Sequence, residues 1–173
     1  MGAVDDTDAG GASSQLARGS LVTFASVAIP VAVYFVLPLD RETWWIGALL
    51  GGAAVLAVLP LTVRRLERID QSERPLADAL RALALLLGLA VAGFATTNYA
   101  IAANTEQIPG VSTKIDGLYF TVVTMTSVGY GDIAPQGQAA RAIVTLEIVL
   151  TLTLIGGAIR MISNLAGRKR AER

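Results

Sequence analysis

Apolar residues run almost without interruption over four stretches, near 20–39, 44–63, 77–103 and 139–163, with polar residues gathered between them. Each stretch meets the roughly 20 residues that a helix needs to cross a hydrocarbon core about 30 Å thick. The pattern predicts an all-α membrane protein with four transmembrane helices. Pro30 interrupts the first span, where a kink is expected because the carbonyl freed by the missing N–H needs another partner. Pro38 and Asp40 close that span. Trp44 and Trp45 open the second, where indole rings favour the membrane interface. Residues 20–63 thus form a two-helix N-terminal membrane segment. Residues 1–19 are small, polar and acidic, which predicts a disordered cytoplasmic tail and lacks the basic start and short apolar core of a signal peptide. The stretch "VRRLERIDQSERPLADALR" mixes five arginines with four acids at helical spacing. It reads as a charged cytoplasmic linker over 64–76, with Pro75 suited to a first helical turn.

Composition agrees with this pattern. Hydrophobic residues make up 53% of the 173 and charged residues 16%, against about 25% charged in an ordinary soluble domain. Net charge is zero, which argues against a polyanion-binding surface and so against a nucleic-acid partner. Cysteine and histidine are absent, which excludes disulfides and thiolate metal sites and removes the commonest metal ligand. No organic cofactor and no enzymatic chemistry are expected. Orientation follows from the basic residues. With the N-terminus inside, the cytoplasmic side carries Arg18, Arg64, Arg65, Arg68, Arg74, Arg81, Arg160, Arg168, Lys169, Arg170 and Arg173, and the outside only Arg41, Lys114 and Arg141. The positive-inside rule then places both termini in the cytoplasm and the loop 104–138 outside.

That outer loop contains an apolar stretch of its own, "IDGLYFTVVTM", too short to span and suited to a re-entrant half-helix over 113–126. Thr113, three residues before Asp116, predicts a capping pair at its start. Its carboxyl end would direct partial negative charge toward the bilayer centre, where it favours a dehydrating cation. The segment that follows, "SVGYGD", is too polar and glycine-rich to be a membrane helix. Exposed backbone at such depth is tolerated only where it is buried in protein or lines a water-filled path. Gly129 and Gly131 allow the chain to visit positive φ without a Cβ clash, and the side chains of Val128 and Tyr130 would pack sideways.

"TMTSVGYGD", residues 124–132, resembles the selectivity-filter signature of potassium channels, whose usual form is T-V-G-Y-G. The resemblance covers residues 77–163 as a pore domain of outer helix, pore helix, filter and inner helix, in a prokaryotic-like chain with two extra N-terminal transmembrane helices. It implies a homotetramer in which four filters surround one axis and backbone oxygens replace the hydration shell of K⁺. On that resemblance the carbonyls of Ser127, Val128, Gly129 and Tyr130 form the K⁺ sites, Gly131 completes the filter, and the Ser127 hydroxyl completes the innermost site. Thr126 stands at the base of the pore helix behind the filter, and Asp132 lies just outside, hydrogen-bonding toward the pore helix. Pro135 and Arg141 fit the turn and the start of the inner helix.

The chain also departs from the family. Ser127 replaces the usual threonine, keeping the hydroxyl but losing the methyl that limits rotation, so a looser inner site is expected. Tyr119 and Phe120 stand where many relatives have two tryptophans. Val123 stands where some carry a glutamate partner for the aspartate, and Ala140 where a glycine is common. In the inner helix, Leu152, Ile155, Ile159 and Ser163 recur at helical spacing and would share the pore-lining face, where apolar rings can gate by dewetting. Gly156 and Gly157 offer either a hinge or a close helix contact. Glu147 is the one acid deep inside an apolar span. Intramembrane acids are costly and face protein or water, and its helical position turns it away from the pore-lining face. Two readings stay open: Glu147 braces the filter through hydroxyls such as Thr121 or Thr124, or it is a protonated, merely buried acid.

The first two spans contain no run of arginines at three-residue intervals, so ordinary voltage sensing is not expected. The basic cytoplasmic tail, 164–173, is suited to contact with anionic lipid headgroups. The expected function is passive, K⁺-selective conduction across a prokaryotic inner membrane. A weakly selective cation channel of the same fold is the alternative raised by Ser127. A non-conducting accessory subunit is the alternative from another class.

Overall fold

The computed structural model describes residues 6–39, 44–69 and 75–171. Five helices occur in chain order: α1 (Asp6–Val36), α2 (Trp44–Ile69), α3 (Pro75–Thr105), α4 (Lys114–Met125) and α5 (Gln138–Ala171). No strand is present among the described residues, and the fold is all-α. Among the described residues, three stretches are long and apolar enough to cross a membrane: Gly19–Val36, Ala77–Thr105 and Gln138–Arg160. Helix α2 covers the span expected over 44–63, which carries no charged residue.

Two boundaries differ from the sequence expectation. The segment 1–19 was expected as a disordered tail, yet α1 is helical from Asp6. No proline interrupts 6–29. The apolar span beyond supplies a nucleus from which the helix extends backward. At the other end α5 continues to Ala171, so most of the basic segment 164–173 prolongs the inner helix. The closure expected at Asp40 and residues 70–74 of the charged linker lie outside the described residues, as do 1–5 and 172–173.

Helix α3 is the hub, packing against α1, α2, α4 and α5. Lipid gives little hydrophobic drive for helices to associate, so close backbone approach through small residues matters more. Two glycines show this. A Cβ on Gly88 would stand 2.7 Å from the Ser26 carbonyl oxygen and 2.8 Å from Val27 Cα, where α3 meets α1. A Cβ on Gly51 would stand 2.7 Å from Thr97 Oγ1 and 2.8 Å from the Gly93 carbonyl oxygen, where α2 meets α3. Behind the loop that follows α4, Leu86, Ala90 and Phe94 of α3 enclose Met125 of α4 with Leu150 and Leu154 of α5. A second cluster at the outer end joins Ala102, Ile108 and Val111 to Phe120, Ala140 and Val144. Along α5 the residues Ala140, Val144, Glu147, Thr151 and Leu154 are buried, a stripe at the four- and three-residue spacing of one helix face.

Candidate functional site

Helix α4 has 12 residues, about 18 Å at 1.5 Å per residue, and so cannot cross a bilayer. Its start is the capping box expected from Thr113 and Asp116. The Thr113 hydroxyl accepts from Asp116 N, and Asp116 Oδ2 accepts from Thr113 N at 2.7 Å. The same oxygen also accepts from Ser112 N at 3.0 Å and Ser112 Oγ at 2.9 Å. These bonds, led by that from the Thr113 backbone, pull the Asp116 pKa from 3.8 down to about 2.

Helix α1 grips the same end. Tyr34, 1% exposed, donates its hydroxyl to the Lys114 carbonyl at 2.6 Å. Lys114 Nζ donates in return to the carbonyls of Phe35 and Leu37 at 2.8 and 2.7 Å. An ammonium is well suited to the unpaired carbonyls at a helix C-terminus. Gly117 lets the contact close, since a Cβ there would stand 3.0 Å from both Tyr34 Oη and Tyr99 Cβ. The sequence offered no sign of this clasp, because its partners lie 77–80 positions apart.

Thr126 caps the other end of α4 and donates its hydroxyl back to the Val122 carbonyl at 2.7 Å. The backbone then folds away through three bonds to α4 carbonyls. Ser127 N donates to Thr124 O at 3.0 Å, and Val128 N and Gly129 N both donate to Val123 O at 3.1 and 3.3 Å. Positive φ occurs at Ser127 (58°), Gly129 (53°) and Gly131 (79°), with Val128 and Tyr130 between them outside that region. The glycines behave as expected. Ser127 does not follow from the sequence, since a non-glycine residue enters this region at a cost of about 1–2 kcal/mol. Val128 and Tyr130 are 53% and 71% exposed, so their own chain supplies little of the lateral packing expected around them. Asp132 Oδ2 accepts from the Tyr119 hydroxyl at 2.7 Å, a bond that raises the tyrosine pKa above its ordinary 10.0. Tyr119 thus meets Asp132 although Val123 offers it no carboxyl partner.

Behind α4, Glu147 is fully buried and turned toward α3 and α4. It does not touch the Thr121 hydroxyl directly. Asn98 of α3 bridges the two, its Nδ2 donating to Thr121 Oγ1 and to Glu147 Oε2, both at 3.0 Å. Sequence reasoning missed Asn98, although an amide within an apolar span is itself a signal for bonding between helices. The start of α5 is held by Gln107, whose Oε1 accepts from Ala140 N at 3.2 Å, and by Arg141, whose Nε donates to the Pro135 carbonyl at 3.2 Å. Leu152, Ile155, Ile159 and Ser163 lie on the face of α5 turned away from its own chain, all exposed. A Cβ on Gly156 or Gly157 would meet nothing within 4 Å, so neither makes a close helix contact within the chain.

A short half-helix, a glycine-containing segment of alternating φ sign and two flanking apolar helices form one unit from α3 to α5. Residues 79–167, just over half the chain, match the ion channel family across that unit. The chain belongs to the ion channel family. With three helices of membrane-crossing length and composition, this channel-family member is an integral membrane protein. Curated relatives share shorter stretches. Two-pore potassium channel 1 of Arabidopsis thaliana is 42% identical over 53 residues, covering 30% of this chain and 15% of the relative. Two pore potassium channel b of Oryza sativa subsp. japonica is 43% identical over 42 residues, 24% and 12%. The hyperpolarization-activated voltage-gated potassium channel of Methanocaldococcus jannaschii is 33% identical over 45 residues, 26% and 22%. The matched stretches therefore span less than a quarter of these relatives' lengths. No solved structure gives a significant match.

Proposed function

We propose that this protein is the subunit of a potassium-selective channel, in which four copies bring residues 127–131 around a common axis. The observation that carries this reading is the alternation of φ sign from Ser127 to Gly131 directly after a half-helix. In a flat strand successive carbonyls point to opposite sides. Alternating the sign of φ turns the peptide planes so that successive carbonyls can gather on one side. The carbonyls of Ser127, Val128, Gly129 and Tyr130 then supply the oxygens that replace the K⁺ hydration shell. One segment cannot enclose an ion. The exposed Val128 and Tyr130 side chains are accounted for by packing from neighbouring copies. The named relatives are potassium channels, which supports K⁺ as the permeant ion.

In this reading Leu152, Ile155, Ile159 and Ser163 line the inner vestibule, Gly156 and Gly157 allow α5 to bend, and both termini face the cytoplasm of a prokaryotic cell. Four spans, with α2 as the second, complete the topology. Asp132 lends negative potential to the outer mouth. The basic end of α5 meets anionic headgroups.

A K⁺-gradient flux assay on purified protein in liposomes tests the proposal. The wild type is expected to pass K⁺ in preference to Na⁺. Gly129→Ala is expected to abolish flux, because alanine at φ 53° is strained by about 1–2 kcal/mol per subunit. A wild type that passes no K⁺ under any gradient refutes it. One observation favours a second reading, a weakly selective cation channel: Ser127 lacks the stiffening methyl and stands in the left-handed region. Equal K⁺ and Na⁺ flux would establish that reading instead.

A further inference from the structure

Three polar side chains from three helices meet in a largely apolar interior: Asn98 of α3, Thr121 of α4 and Glu147 of α5, each 0% exposed. Both N–H bonds of the Asn98 amide are used, one on Thr121 Oγ1 and one on Glu147 Oε2. Among the described residues two buried side-chain atoms remain without a partner, Asn98 Oδ1 and Glu147 Oε1. They belong to the two groups that are already joined.

The identity of these two atoms is informative. With Glu147 ionised, both are acceptors, and nothing satisfies either. No lysine or arginine forms an ion pair with Glu147 among the described residues. Five ionisable groups on the surrounding helices have partners of their own. Lys114 is on the α1 carbonyls, Asp116 on Ser112 and Thr113, Tyr119 on Asp132, Tyr34 on Lys114 O, and Arg141 on Pro135 O. An unpaired buried carboxylate in a membrane interior is strongly disfavoured. A single proton on Oε1 changes the balance, because it turns one of the two orphan acceptors into a donor for the other.

We propose that Glu147 is a positioning residue that carries this proton, closing a two-bond ring between carboxylic acid and carboxamide. Asn98 Nδ2–H donates to Oε2, and Oε1–H donates to Oδ1. The second amide proton holds Thr121, so the ring ties the inner and outer helices to the pore helix. Thr121 lies two residues before Val123, whose carbonyl receives the Val128 and Gly129 N–H groups. A shift of α4 at Thr121 therefore passes directly into the segment proposed as the filter. The mechanical part of this inference rests on the proposed conduction through residues 127–131, whereas the protonation of Glu147 does not.

The test compares wild type, Glu147→Gln, Glu147→Ala and Asn98→Ala as full-length protein. Glutamine places an N–H where the acid O–H stands and keeps the ring, so Glu147→Gln is expected to hold the wild-type thermal midpoint in detergent and K⁺ flux within about twofold. Glu147→Ala and Asn98→Ala strand a buried polar partner and are expected to lower K⁺ flux roughly tenfold or more. The infrared difference spectrum of wild type minus Glu147→Gln reads the proton directly, and a protonated-carboxyl stretch is expected. A carboxylate stretch in its place overturns the proposal. So does a Glu147→Gln protein as impaired as Glu147→Ala, or a Glu147→Ala protein that matches the wild type. If the wild type itself passes no K⁺, the conduction reading fails, and the infrared and thermal measurements still decide the protonation of Glu147.

Discussion

The two ends of α4 are built on opposite principles. At its N-terminus the side chains of Thr113 and Asp116 accept from the N–H groups of Ser112, Thr113 and Asp116. Helix α1 is fastened on by Tyr34 and Lys114. At its C-terminus the chain turns into a segment with three positive φ values, held by backbone bonds to Thr124 and Val123, with Val128 and Tyr130 uncovered. One end is complete within the chain. In the proposed assembly the other is finished by neighbouring copies. A half-helix fixed at one end can hold a strained segment at the other, because the strain is set against bonds that do not depend on assembly.

The comparison breaks most sharply at Lys114. Lys114→Met removes two charge-assisted bonds to the α1 carbonyls and is expected to destabilise the subunit by about 2 kcal/mol. Thermal denaturation in detergent should show it, and an unchanged midpoint would place the grip of α1 elsewhere. At the strained end the sign reverses. Ser127→Gly should stabilise the fold by about 1 kcal/mol, since glycine adopts φ 58° at no steric cost. Ser127→Thr should destabilise it by a similar amount, because a β-branched residue suits this region worse. If Ser127→Gly also lowers the K⁺/Na⁺ flux ratio, its hydroxyl and its strain have separable roles.

Much of this contrast was legible in the sequence, and the reasons are local. The capping box needs only Thr113 and Asp116 at a spacing of three, and the half-helix only a short apolar run between polar flanks. The positive φ at Gly129 and Gly131 follows from their missing Cβ. The burial of Glu147 away from the exposed stripe of α5 follows from helical geometry alone. What escaped depends on partners far apart in the chain. Nothing in the neighbourhood of Tyr34 announces a bond 80 positions away. Asn98 carried a signal, being an amide in an apolar span, but its spacing to Thr121 and Glu147 is set by helix packing. Ser127 escaped because left-handed backbone at a non-glycine is imposed by the segment around it. The helical extension from Asp6 depends on continuity with the span that follows, which the local polarity of the segment conceals.

Smaller effects sharpen the picture of the anchored end. Thr113→Ala removes one partner of the capping box and should cost about 1 kcal/mol, measurable as a lowered thermal midpoint. Asp116 adds a pH signature. Its folded pKa is depressed to about 2 from 3.8, so its contribution is fully present above about pH 4 and is lost as pH falls through 2. Wild type should therefore lose stability relative to Asp116→Asn on acidification across that window, and parallel curves would mean that the carboxylate bonds do not persist in solution.

The smallest effect on the fold is expected from Tyr119→Phe, at the outer edge of the open end. The Tyr119–Asp132 bond is exposed, and an exposed bond competes with water on both partners, so the thermal midpoint should hardly move. In the proposed channel Asp132 stands at the outer mouth directly after Gly131, so conduction can respond where stability does not. Loss of the bond should shorten the time for which K⁺ flux is sustained while leaving its initial rate near that of the wild type. The pH dependence separates the two partners. The bond raises the tyrosine pKa above 10.0, so it persists through neutral pH and is lost only when alkali removes the phenolic proton and sets two negative charges together. Sustained flux in the wild type should therefore fall in strong alkali, and that alkaline step should be missing from Tyr119→Phe. A step of equal size in both proteins would move its origin away from Tyr119 and leave the open end of α4 held by backbone bonds alone.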